Sequence, residues 1–156
     1  MNDQSGQSEE APALKLAVLD AEDLAVISAH LQDATVRVGE MAYLPKTRRF
    51  ALVASRFDWP RALRGARERC RTGLHFERVF RVLRSGFDQD ADRVLNLLAI
   101  VFTPGEAPSG TITLTFSGGS AIRLEVECLE AALSDIGPRW PVADKPGHAS
   151  VEVEHA

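Results

Sequence analysis

Cysteine is scarce in this chain. Cys70 and Cys128 are the only two in 156 residues, one in a polar stretch and one on what reads as a core face. That argues against a disulfide framework or a thiolate metal set, and the reading that follows is a reduced, cytoplasmic protein. Long apolar runs are missing too. None approaches the roughly 18 residues that span a bilayer, and no charged-then-apolar leader opens the chain, so no membrane partner is expected. Histidine is thin. His30, His75, His148 and His155 offer no ligand spacing such as i, i+4 on a helix, so no metal is expected. Ser28, Ser55 and Ser85 lack the elbow of a nucleophilic serine, and no cysteine–histidine pairing is visible. Gly118 and Gly119 mark a hairpin turn, without the strand–glycine–helix context of a phosphate cradle. Glu125 and Glu127 share the outer face of one strand, where two solvated carboxylates are a plainer reading than an acid pair. No cofactor and no catalytic residue follow.

What is present is the composition of a soluble globular domain, 45% hydrophobic and 26% charged, long enough for one core. The organising stretch runs from Leu95 to Val126. Leu95, Leu97, Leu98, Ala99, Ile100, Val101 and Phe102 are interrupted only by Asn96, and β-branched and aromatic residues late in the run favour a strand apolar on both faces, hence central. Ile112, Leu114 and Phe116 alternate with threonines, and Ile122, Leu124, Val126 and Cys128 alternate with charges. A three-residue loop from Gly118 to Ser120 sets Phe116 opposite Ile122 and Leu114 opposite Leu124, apolar against apolar. A five-residue loop is read as keeping the same register and stays open.

Before that stretch, Asp20 caps an amphipathic helix over residues 21–33, with Leu24, Ile27 and Leu31 on one stripe. Strands are predicted over 35–44 and 49–57, then a connection from Asp58 to Gly73 that holds either a short helix or a disordered loop, then a strand over 74–84. Leu129, Leu133 and Ile136 predict a short terminal helix, stopped by Gly137 and Pro138. The fold class expected is α+β: a predominantly antiparallel curved sheet or partial barrel of about six strands with an N-terminal and a short C-terminal helix, a pleckstrin-homology-like element order. Residues 1–13 read as a disordered tail, 14–137 as a single domain and 138–156 as a loose tail.

Charge is distributed unevenly. Residues 46–84 carry twelve basic against three acidic side chains, +9, and the remainder six against nineteen, −13. Arg48, Arg49, Arg56, Arg61, Arg64, Arg67, Arg69 and Arg71, with Trp59 beside them, are the candidate anion or partner contacts, because guanidinium forks suit phosphate and carboxylate. The plainer reading is a solvated loop balancing an acidic remainder, with Trp59 plugging a strand end. Residues 61–71 are expected to be exposed and mobile.

Several stretches in order, LDAEDLAVISAHLQDA from Leu19, AYLP from Ala42, RFAL from Arg49, RFDW from Arg56 and IRLEVEC from Ile122, resemble a bacterial domain-of-unknown-function family found mainly in alphaproteobacteria. The resemblance covers roughly residues 14–145 and implies a lineage without a chemistry. The function expected is a small non-enzymatic binding module whose partner is another protein. The alternatives are anion or weak nucleic-acid binding through the arginine-rich loop 61–71, and an enzyme whose site is assembled from strands.

Overall fold

The computed structural model describes residues 13–87 and 90–143. All but Ala13 of the expected disordered tail over 1–13, and most of the loose tail over 138–156, lie outside those residues.

The chain is a run of strands: β1 (Lys15–Val18), helix α1 (Ala21–His30), β2 (Thr35–Leu44), β3 (Arg49–Phe57), a helical turn α2 (Trp59–Ala62), β4 (Glu68–Phe76), β5 (Val79–Ser85), β6 (Val94–Pro104), β7 (Gly110–Phe116), β8 (Ala121–Val126), β9 (Ala131–Asp135) and β10 (Trp140–Pro141). They form one antiparallel sheet in the order β1-β9-β4-β3-β2-β6-β7-β8-β5, with β10 added alongside β4. β4 and β5 are neighbours in the chain but lie apart in the sheet. The chain crosses from the β1-β9-β4-β3-β2 region of this order to the β6-β7-β8-β5 region at Glu77–Arg78, and back between β8 and β9. One apolar cluster joins both regions, from Val18 and Leu24 through Phe50 and Leu74 to Leu114, Leu124 and Leu133.

Helix α1 starts where the sequence predicts but ends at His30, three residues short of the expected 21–33, with Leu31 as its C-cap. The Asp20 carboxylate accepts from the Asp23 amide at 2.8 Å, and Leu24, Ile27 and Leu31 are buried. The Ser28 hydroxyl on α1 accepts a hydrogen bond from the Ile100 amide at 3.1 Å, tying the helix to β6.

The expected fold class needs correction: among the described residues, ten strands, one ten-residue helix and the α2 turn replace about six strands and two helices. The terminal helix is absent, and with it the pleckstrin-homology-like order. Residues 131–135 are strand β9, paired with both β1 and β4. Leu129 and Leu133 misled because positions four apart share a face in a helix and in a strand alike. Ile136, the third member of the supposed stripe, is 56% exposed. The long connection also shrinks. β4 begins at Glu68, so Arg69 and Arg71 are strand residues rather than part of a mobile loop. Arginine and glycine in that segment carry little strand signal.

The β7–β8 hairpin keeps its predicted faces but pairs two residues further out: Leu114 opposes Ile122 and Ile112 opposes Leu124. Five residues, Phe116 to Ser120, make the turn, with Gly118 and Gly119 at φ of 77° and 83°, where a side chain would be strained. In β6 a bulge between Leu97 and Ala99 resets the alternation, so Leu97 is buried and Leu98, expected in the core, is 39% exposed. Val94 and Val101 are also exposed, so β6 is not covered on both faces. The cysteines exchange roles: Cys70 is buried in β4, and Cys128 lies half-buried in the β8–β9 link.

Candidate functional site

The inward positions of β3, β4 and β9 form rows. Phe50 opposes Phe76, which opposes Ala131; Leu52 opposes Leu74, which opposes Leu133; Ala54 opposes Thr72, which opposes Asp135; and Arg56 opposes Cys70. The alternation that builds the apolar core therefore runs on into a polar end. Arg56 and Asp135 are each 2% exposed at the side chain and meet as a two-pronged pair, Nε to Oδ1 at 2.9 Å and Nη2 to Oδ2 at 2.8 Å. The Thr72 hydroxyl donates to Asp135 at 2.8 Å and the Leu14 amide at 2.7 Å. Burial works to raise the Asp135 carboxyl. The Arg56, Leu14 and Thr72 hydrogen bonds more than undo it, holding the group at about 2. Burial likewise opposes the Arg56 charge, and Asp135 outweighs it, so that pKa is raised. Arg139 closes this end, donating to the buried Asp58 at 2.7 Å. Burial, then the Asp135 charge, pushes the Cys70 thiol up, away from a reactive thiolate.

Above this network lies an apolar groove of about 430 Å³, lined by Val26, Ala29, His30, Trp59, Pro60 and Leu63. Its aromatic wall is fixed. The Trp59 indole donates to the Gln32 carbonyl at 3.2 Å, and its ring meets Phe57 edge-on at 4.7 Å. Leu63 is 90% exposed and Val26 49%. Burial and then the nearby Arg56 charge lower the His30 pKa, which favours a neutral imidazole in the groove.

At the other end of β3 is a charged cleft of about 620 Å³, lined by Lys46, Thr47, Arg48, Arg49, His75, Glu77, Arg78, Glu127 and Glu130. Arg48 pairs with Glu127, Arg49 and His75 with Glu77, and Arg78 with Glu130 at 3.4 Å. Arg48 and Arg78 hold left-handed backbone, φ 54° and 60°. That conformation costs roughly 1–2 kcal/mol for a residue with a Cβ, while an exposed ion pair returns about 0–1 kcal/mol.

The nine candidate residues thus separate. Arg48 and Arg49 line the cleft, Arg56 is buried in the core, and Trp59 walls the groove. Arg61 lies in α2, and Arg64 and Arg67 are exposed beyond it, with Arg67 donating to the Ala143 carbonyl at 3.0 Å. Arg69 donates to the Ser55 carbonyl at 2.7 Å, and Arg71 pairs with Glu40 at 3.1 Å. Sequence reasoning missed Asp58, Asp135 and Arg139, the groove residues Val26 and Leu63, and the cleft residues Glu77, Arg78 and Glu130, and it weighed His30, His75 and Glu127 for other chemistry and set them aside. One signal was available: Arg56 has the same parity as Phe50, Leu52 and Ala54, which marks it as inward. Among the described residues, no three His, Cys, Asp or Glu side chains converge as a metal set would, and no helix is long and apolar enough to cross a membrane.

No curated protein and no solved structure matches the chain. A family model described as a protein of unknown function, DUF2948, matches residues 14–148, and the chain belongs to that family.

Proposed function

We propose that the chain is a non-enzymatic binding module for another protein, and that the groove between α1 and α2 takes the partner. The observation that carries this reading is Leu63, a leucine 90% exposed beside a tryptophan held in place by Phe57 and Gln32. A rigid aromatic wall loses little freedom on binding, and large apolar side chains in a pocket dominate interface energies. The exposed Arg64 and Arg67 follow Leu63 in a segment of net +9. The partner segment is therefore an acidic one that inserts a bulky apolar residue between Val26 and Trp59.

Display of a random peptide library against the full chain tests this. Enriched peptides should carry a bulky apolar residue next to Asp or Glu and should lose binding to Leu63→Asp and Val26→Asp. Equal enrichment on the variants, or none on the wild type, removes the reading. A mobility shift with duplex DNA across a salt series addresses the nucleic-acid alternative. Salt-dependent binding that survives Leu63→Asp would favour that alternative instead.

A further inference from the structure

We propose that the charged cleft at the opposite end of β3 is a second binding site, for a small free molecule carrying an oxyanion, phosphate or carboxylate. Three connections build it: the β2–β3 turn, the β4–β5 turn and the β8–β9 link. They are tied together through the backbone. The Val79 amide donates to the Arg48 carbonyl at 2.9 Å, the Glu77 amide to Glu130 at 2.8 Å, and the Glu127 amide to Arg78 at 3.0 Å. The Tyr43 hydroxyl adds a bond to the Val79 carbonyl at 2.6 Å. The cleft floor is thus rigid before any ligand arrives, which lowers the cost of binding.

The lining is unbalanced. Four cations, Lys46, Arg48, Arg49 and Arg78, face three carboxylates, Glu77, Glu127 and Glu130. Each carboxylate is taken by a guanidinium, and Lys46 has no ion pair with a described residue. One negative charge on a ligand completes the set. Each of those pairs uses one guanidinium nitrogen, which leaves further N–H donors for a ligand oxyanion beside Lys46.

The backbone gives an independent reason. Asp33 is also left-handed, at φ 61°, but aspartate tolerates that region. Arg48 and Arg78 are there without that excuse, and both point into this one cleft. Glycine would relax either turn. Strain kept on two arginines of one concavity is the pattern of a site held in shape for a ligand, because exposed ion pairs repay too little to maintain it.

The test is titration of the full, isotope-labelled chain with sodium phosphate and, separately, disodium succinate, at constant ionic strength in chloride so that screening does not vary. Amide signals of Thr47, Arg48, Arg49, Glu77 and Arg78 should shift and saturate with at least one of the two. Saturation with phosphate alone assigns a phosphate ligand, with succinate alone a carboxylate, and with both the shared oxyanion chemistry. Lys46→Glu should weaken the binding by at least about tenfold, the size of one lost charge-assisted contact, while Leu63→Asp leaves it unchanged. Lys46→Ser serves if the reversal disturbs the turn. Linear, unsaturable shifts with both anions, shifts centred on Arg64 and Arg67, or unchanged affinity in both lysine variants would overturn the proposal.

Discussion

Arg56 and Asp135 lie on strands that do not pair with each other. β4 runs between them, yet both point inward and their side chains join across Thr72 with two hydrogen bonds of 2.9 and 2.8 Å. The pair is a single unit, and removing one member strands the other. Arg56→Met and Asp135→Leu should each cost about 3–5 kcal/mol, with the double variant recovering much of the loss. Urea denaturation of the four proteins measures the coupling. Losses that add without recovery would show that the two side chains act independently.

The same carboxylate sets an acid limit. Asp135 is held at about 2 against an ordinary 3.8. A depressed carboxyl stabilises the fold fully above its unfolded pKa and loses that contribution as pH falls through the folded value. The window is therefore about pH 4 down to pH 2, and the size is about 2 kcal/mol. The unfolding midpoint of the wild type should drop more steeply across that window than that of Asp135→Asn. Parallel slopes would remove Asp135 as the cause.

The β7 strand separates a buried face from an outer one. Leu114 is fully buried, so Leu114→Ala should cost about 2–5 kcal/mol through lost contacts and a residual cavity. Thr113 on the other face opposes Val101 and Arg123, and Thr113→Ala should cost well under about 1 kcal/mol. Thermal unfolding distinguishes them, and equal losses would refute the assigned faces.

The arginines of the basic segment should divide in the same assay. Arg69 spends a charged hydrogen bond on the Ser55 carbonyl, and Arg69→Ser should cost about 1–2 kcal/mol. Arg64→Ser should stay within about 0.5 kcal/mol, which in a domain of this length is a shift of at most a degree or two in midpoint. A stability loss at Arg64 as large as that at Arg69 would mean that the α2–β4 connection holds the fold.

What the sequence reveals depends on how local the signal is. Helix α1 is legible because Asp20 and the Leu24, Ile27 and Leu31 stripe lie within a few turns of one another. The faces of β7 and β8 are legible because threonine and charge alternate with apolar residues, whereas their pairing is not, since a shift of two residues preserves every face. β9 is hidden by a spacing common to helix and strand, and Asp135 is hidden with it. The groove and the cleft are invisible for a different reason. Val26 and Trp59, or Arg48 and Glu127, meet only after the sheet has brought distant segments together. The arginine block is conspicuous in one dimension and divided in three, because alternate residues of β3 and β4 point to opposite faces.

The pairing of Lys15 with Ser134 and of Val18 with Ala131 sets a timetable. The first strand cannot find its neighbour until β9 has been made, and until then Arg56 lacks the two-pronged bond to Asp135. Loop closure over that distance comes before any reward from contact, so folding belongs with the slow, non-local topologies rather than with the fast helical ones. Chains interrupted before Asp135 would carry a guanidinium without its fork partner in the core and an open edge on β4, a state more prone to aggregate than to stay half folded.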